Sequence, residues 1–255
     1  MIWKAIGKSA TGTSHIAADK GCDDSICYKI ITDNYNNEVL ICCASDGAGS
    51  AKYSDWASTY TTITFIERLT ENINQGFIIT EAIIYSIAEE IYEGIRNEAD
   101  SKQELINEFS CTLLGCCITD NRSAFFQIGD GAVVRNDGLD FFTAVWWPQN
   151  GEYLNTTSFL IDDPTFKDLR VTIIYERVDE VAIFTDGLQM LALNMEGGVV
   201  HQPFFADLFR VVRIAQNEDE VAILQVKLEE FINSTQVNNR TDDDKTLFLA
   251  SRLNE

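Results

Sequence analysis

The stretch 38-EVLICCASDGAGS-50 decides how the chain is read. Val39-Leu40-Ile41-Cys42-Cys43-Ala44 is apolar without a break, which suits a strand covered on both faces. The run then stops at Asp46, and Gly47 and Gly49 follow with only Ala48 between them. A rigid, buried strand thus ends by presenting a carboxylate on a bend with little side-chain bulk.

Working outward, residues 3–10 and 25–32 read as short strands. Residues 54–73 and 77–99 lack proline and repeat apolar side chains near the helical period, so they read as two long helices joined near Asn74-Gln75-Gly76. Strands are expected at 110–119, 123–128, 131–136 and 141–145, with turns at Asn121-Arg122 and Gly129-Asp130-Gly131. A loop-rich insert over 148–168 precedes strands at 171–175 and 181–184. Two helices, 203–215 and 218–233, lead to a polar loop and a last strand at 246–250. The hairpin-like spacing points to antiparallel sheets. The absence of repeated strand–helix alternation and of G-x-G-x-x-G disfavours a doubly wound nucleotide-binding fold. The expected class is α+β: an α-β-β-α sandwich of two antiparallel sheets flanked by pairs of helices. No Ser/Gly/Pro-rich linker divides the chain, and a single domain over residues 1–255 is expected.

The charge balance is lopsided, with 19 basic against 40 acidic residues and a net of −21. Phosphate backbones and anionic lipid surfaces attract Lys and Arg, so neither nucleic acid nor membrane is an expected partner. The seven cysteines lack recurring C-x-x-C pairs and read as small core residues in a reducing compartment. With no signal-like N-terminus and no long apolar window, a cytoplasmic location is expected.

The Asp46-Gly47 arrangement recurs. Gly129-Asp130-Gly131 and Asp186-Gly187 each follow a strand, Asp242-Asp243-Asp244 precedes one, and Asp23-Asp24 stands before another. One Asp-Gly is ordinary turn chemistry. Five acidic strand ends together allow carboxylates to converge with fixed geometry, and converging carboxylates repel unless a cation lies between them. Oxygen ligands suit Mg²⁺ or Mn²⁺. Two such ions roughly 3.5–4 Å apart make a hydrolytic centre that activates water and needs no Ser or Cys nucleophile. A calcium loop of the EF-hand pattern is missing.

In this order, Asp24, Asp46-Gly47-x-Gly49, Gly129-Asp130, Thr185-Asp186-Gly187 and Asp243-Asp244-x-Thr246 resemble the metal-dependent protein phosphatases of type 2C. Gly12-Thr13-Ser14-His15, Gly151-Glu152-Tyr153 with Asn155 and Thr157, and Arg240–Thr246 bring the chain nearest to the compact bacterial, PphC-like branch of that family. The resemblance implies hydrolysis of phosphoserine or phosphothreonine by metal-activated water, on a phosphorylated protein substrate and opposite a cognate Ser/Thr kinase. It implies two Mg²⁺ or Mn²⁺ ions and a weaker third. Asp46 would bridge both ions, the Gly47 carbonyl would bind the first, and Asp186 and Asp243 the second. Asp24 would hold a metal or its water, and Asp130 the third ion. The mobile substrate-side flap of the family would fall near Gly151-Glu152-Tyr153, where a plain surface loop is the competing reading.

Three departures stand out. The family's phosphate-gripping Arg in the first motif is replaced by His15, with Lys20 as a second candidate anchor. The proposed general-acid His after Asp-Gly is Ala48, which leaves His15 or water for that role. The acidic residue before Asp24 is Asp23 where Glu is usual. These losses leave a second reading open, a weak or inactive phosphatase fold serving as a regulatory or binding module. His201 is expected to be structural or on the surface, Trp146-Trp147 to pack at a strand end, and Lys245 to point to solvent.

Overall fold

The computed structural model describes residues 3–136, 141–149 and 157–252. In chain order it contains β1 (Trp3–Ala10), α1 (Thr13–Ala17), β2 (Ser25–Thr32), β3 (Glu38–Ser45), α2 (Ser54–Asn74) and α3 (Glu81–Lys102). Then come β4 (Leu113–Ile118), β5 (Ser123–Ile128), β6 (Ala132–Asn136), β7 (Phe142–Ala144), β8 (Arg170–Ile174) and β9 (Glu180–Phe184). The last part holds α4 (Gln189–Ala192), β10 (Leu193–Asn194), β11 (Val199–Val200), α5 (Gln202–Ile214), α6 (Glu218–Ile232), α7 (Thr235–Asn238) and β12 (Lys245–Arg252).

Two five-stranded antiparallel sheets result, in the orders β1-β12-β9-β6-β7 and β2-β3-β4-β5-β8. The apolar run in β3 is explained by its two faces. Leu40, Cys42 and Ala44 point between the sheets, against Phe125, Val133, Ile183 and Phe248. Val39, Ile41 and Cys43 point outward, against Phe65 and Leu69 of α2 and Ile87 and Ile91 of α3. The other sheet is covered in the same way by α5 and α6, through Phe205, Phe209, Leu228 and Ile232. Both sheets are therefore sealed on two sides, and alternation of polar with apolar residues disappears from their central strands. This is the expected α-β-β-α sandwich.

Some boundaries move for physical reasons. The second long helix starts at Glu81 because the Thr80 hydroxyl accepts a hydrogen bond from the Ile83 amide (3.4 Å), which caps the helix there. Residues 77–80 form a loop instead, with Phe77 and Ile78 exposed. Lys245 does not reach solvent. It lies on the face of β12 shared with Leu247 and Leu249, is fully buried, and donates from Nζ to Asn238 Oδ1 (3.0 Å) and Thr11 O (3.5 Å). Trp146 packs on the core between the sheets and Trp147 on the core under α5 and α6, so this pair does pack at a strand end. All seven cysteines are free thiols, five of them buried. No helix of the described residues is long and apolar enough to cross a membrane.

Candidate metal centre

The ends of both sheets meet at one rim. Asp46 is fixed there by pairing that continues past β3. Its amide donates to Thr112 Oγ1 (2.8 Å), its carbonyl accepts from the Thr112 amide (2.8 Å), and the Ala48 amide donates to Ser110 O (2.9 Å). Gly47 forms a bridge with Cys111 between these contacts. A side chain at Gly47 would place its Cβ 2.7 Å from Ser54 O and 2.8 Å from Asp23 O, so the glycine is also imposed by close packing against α2. Asp130 stands in the β5–β6 turn, which Gly129 makes with a φ of +114° that other residues rarely adopt. Thr157 Oγ1 donates to Asp130 Oδ2, and Gln189 Nε2 donates to the Asp130 carbonyl (2.5 Å). Asp186 opens the short helical turn that follows β9.

These placements bring carboxylate oxygens of Asp46, Asp130 and Asp186 within 4.8 Å of one another. Asp24 is buried close by, near enough for its charge to act on Asp46. Its Oδ2 accepts from Thr185 Oγ1 and Thr246 Oγ1 (2.7 Å each), whereas its Oδ1 is buried with no protein donor. Asp243 is exposed and outside the 4.8 Å group, yet its charge acts on both Asp130 and Asp186. Among the described residues, no Lys or Arg forms an ion pair with any of these five carboxylates.

The electrostatics follow from that lack. Burial, then the charges of Asp24, Asp186 and Asp130, push the Asp46 carboxyl well above the usual range. Burial raises Asp24 to about 8 against the two threonine hydrogen bonds, with Asp244 and Asp186 adding to the rise. Asp186 is raised to about 7 by burial and then by Asp130 and Asp243. Asp130 is raised mainly by burial. A cation among these groups would relieve every one of these penalties. The donor set fits a hard divalent ion: it is all oxygen, it carries excess negative charge, and one buried oxygen lacks a donor.

A second cluster adjoins the first. Asp244 Oδ1 accepts from the Gly12 amide (2.6 Å), and its Oδ2 accepts from the Asp23 amide (2.5 Å) and from His15 Nδ1 (3.1 Å). His15 Nε2 lies 3.9 Å from Asp23 Oδ2. Lys20 Nζ donates to Asp23 Oδ2 (2.5 Å) and to Gly49 O (3.2 Å). A Cβ added at Gly49 would sit 3.7 Å from His15 Nε2, so the imidazole faces the Asp46–Gly49 turn.

Sequence reading missed three partners here: Asp244 as the group that orients His15, the Thr185–Thr246 clasp on Asp24, and Thr157 on Asp130. The clasp had a visible signal, since both threonines sit at the ends of apolar strand runs where a buried hydroxyl needs a partner. Gly151, Glu152, Tyr153 and Asn155 lie outside the described residues. His201 is exposed and donates from Nδ1 to Leu191 O (3.0 Å), a surface role as expected.

The family model described as protein phosphatase 2C matches residues 11–233. The chain is 33% identical over 251 residues to serine/threonine-protein phosphatase 3 of Escherichia coli (strain K12), covering 98% of each chain. The fold is similar to that of the serine/threonine phosphatase Stp1 from Staphylococcus aureus, with a TM-score of 0.63 at 14% identity over 100% of this chain and 96% of that one. It is also similar to the catalytic domain of serine threonine protein phosphatase PstP in complex with two manganese ions, with a TM-score of 0.62 at 14% identity over 99% of both chains. By the extent of these matches, the chain belongs to the protein phosphatase 2C family and is a serine/threonine phosphoprotein phosphatase of that type.

Proposed function

We propose that the rim carboxylates hold a dinuclear Mg²⁺ or Mn²⁺ centre and that the whole chain works as one catalytic domain on phosphoserine and phosphothreonine in proteins. Asp46, the Gly47 carbonyl, Asp186 and Asp243 would hold the two ions, Asp24 would contribute through Oδ1, and Asp130 would hold a weaker third. Bound there, the ions would supply Lewis acidity, water of lowered pKa and neutralisation of phosphoryl charge. The observation that carries this reading is the convergence of Asp46, Asp130 and Asp186 within 4.8 Å without a basic partner. The bare Oδ1 of Asp24 supports it. The manganese named for the PstP relative agrees with the choice of ion.

The chain's own groups complete the site. The Asp24 clasp keeps Oδ2 occupied by Thr185 and Thr246, so only Oδ1 is available to face inward. A carboxylate can only accept, so His15 donates Nδ1–H to Asp244 and is left with Nε2 toward the Asp46–Gly49 turn. On the doubly protonated ring, Nε2–H is the donor that can meet a phosphoryl oxygen or hand a proton to the leaving oxygen, the roles that the missing Arg and the Ala48 position leave vacant. Lys20 is a weaker anchor because Nζ is already bound to Asp23 and Gly49. We place the work of the enzyme in the cytoplasm, reversing a Ser/Thr kinase.

The experiment is Mn²⁺-dependent hydrolysis of a phosphothreonine peptide by wild type and by Asp186→Asn. Wild type should hydrolyse it and the variant should not; equal rates would reject the metal centre. A His15→Ala variant with unaltered kcat and KM would remove His15 from the reaction.

A further inference from the structure

Beside the metal centre lies a second concavity, a cleft of about 310 Å³ formed by α4, α5, α6 and α7. Its size is at the low end of ligand clefts, roughly 300–1,000 Å³, and suits a single side chain better than a cofactor. Its lining is mixed, an apolar part beside the polar His201, Asp207, Gln236 and Arg240. Phe204 and Phe231 stand with ring centroids 6.3 Å apart, Leu191 and Val237 add aliphatic surface, and Met190 is 69% exposed at the mouth. An exposed methionine is a flexible, polarisable surface that adapts to different apolar groups. Arg240 completes the rim. It is exposed and, among the described residues, makes no side-chain hydrogen bond or ion pair. Asp207 on the same cleft is already paired with Arg210 (3.2 Å), so Arg240 is not neutralised by it.

Two chain segments tie this cleft to the reaction centre. Met190 is four residues after Asp186, and Arg240 is three residues before Asp243. Gln189, next to Met190, donates to the Asp130 carbonyl (2.5 Å) and so locks this wall to the carboxylate group. A chain spans at most ~3.3–3.6 Å per residue, so the two walls lie within about 14 Å and 11 Å of those carboxylate-bearing residues. An extended substrate covers such distances with one to four residues.

We propose that this cleft is a specificity pocket of the phosphatase. It takes a large apolar side chain of the phosphoprotein, one to four residues from the phosphoserine or phosphothreonine, and Arg240 pairs with a carboxylate next to that side chain. The inference rests on the phosphoprotein phosphatase reading and adds the kind of sequence that is dephosphorylated best. The short chain distances to Asp186 and Asp243, the Gln189 link to Asp130 and the unneutralised guanidinium point to a substrate segment as the occupant.

The test is a set of phosphothreonine peptides with alanine at all flanking positions, each carrying one leucine at a position from four before to four after. For wild type with Mn²⁺, leucine at one of these positions should raise kcat/KM about tenfold or more over the all-alanine peptide, the scale set by burying such a side chain. In Met190→Asp, whose exposed site tolerates the change, the ratio of the leucine to the alanine peptide should fall toward one. In Arg240→Glu, the preference for Asp over Lys beside that leucine should reverse. Equal kcat/KM for every leucine position, with all peptides hydrolysed, would overturn the pocket and leave the phosphatase reading intact. A leucine preference that survives in Met190→Asp would also overturn it. No Mn²⁺-dependent hydrolysis of any peptide or of p-nitrophenyl phosphate would remove both readings together.

Discussion

Two carboxylate clusters sit side by side on one rim, and they solve the same electrostatic problem in opposite ways. Around Asp23 and Asp244 the chain supplies its own donors: Lys20, His15 and the amides of Gly12 and Asp23. Around Asp24, Asp46, Asp130 and Asp186 it supplies hydroxyls at the back and no basic group at the front. The first cluster is closed, and its parts hold one another. The second is left in deficit, and that deficit is what a divalent ion would fill. Acidic residues alone therefore would not mark the proposed centre; the acids the protein has not neutralised would.

This contrast can be broken most directly through activity. Asp46→Asn should reduce Mn²⁺-dependent kcat/KM by at least about a hundredfold, more than loss of an outer-shell partner costs, as read by steady-state kinetics at saturating metal. The next effect is on stability and falls on the closed cluster. Asp244→Ala strips the acceptor from the Gly12 and Asp23 amides and from His15, and should lower unfolding free energy by ~3 kcal/mol in urea titrations. A loss under ~1 kcal/mol would mean that water replaces the carboxylate and that the cluster is not closed.

pH sharpens the comparison further. Folded Asp24 keeps its proton up to about pH 8 and Asp186 up to about pH 7. Unfolded aspartates release theirs near ~4. The folded, chelated protein thus binds more protons across this window, and it should lose stability as pH rises from about 4 to about 8, by at least ~1 kcal/mol. Asp24→Asn should flatten that slope. Mn²⁺ should reverse it, because ligands bind metal in their deprotonated form. Melting curves at the two ends of the window, with chelator and with Mn²⁺, check the sign; a chelated protein that gains stability with rising pH would refute it. The smallest effect is also the most telling. In chelator, Asp186→Asn removes one of the repelling charges and should raise stability by ~0.5–1 kcal/mol, whereas Asp244→Ala lowers it.

Much of this was legible in the chain, and the exceptions have causes. The uninterrupted run in β3 could be read as two-faced because the covering helices follow in sequence. The strand-end aspartates could be read because a short acid followed by glycine repeats. The burial of Lys245 was not legible. It follows from strand register, which puts residue 245 on the face of Leu247 and Leu249, and from Asn238, which α7 brings to its ammonium. Asp244 was read with its neighbours as one acidic triplet. In the structure the three separate: Asp242 and Asp243 are exposed, while Asp244 turns inward to His15. Adjacent residues in a tight turn point different ways, and composition does not record which. The start of α3 was displaced because Phe77 and Ile78 mimic a helical apolar face although they are exposed in the loop before the Thr80 cap.

The threonine clasp on Asp24 has a consequence for how the enzyme is made. Asp24 enters from one sheet, while its partners Thr185 and Thr246 come from the other, 161 and 222 positions further along the chain. The chain must therefore be in place through Thr246 before this carboxylate is held by both hydroxyls. Under the proposed mechanism, a product that stops short of Thr246 would have the acids but not the assembled rim. Activity at such a centre would then wait for the two sheets to close on each other.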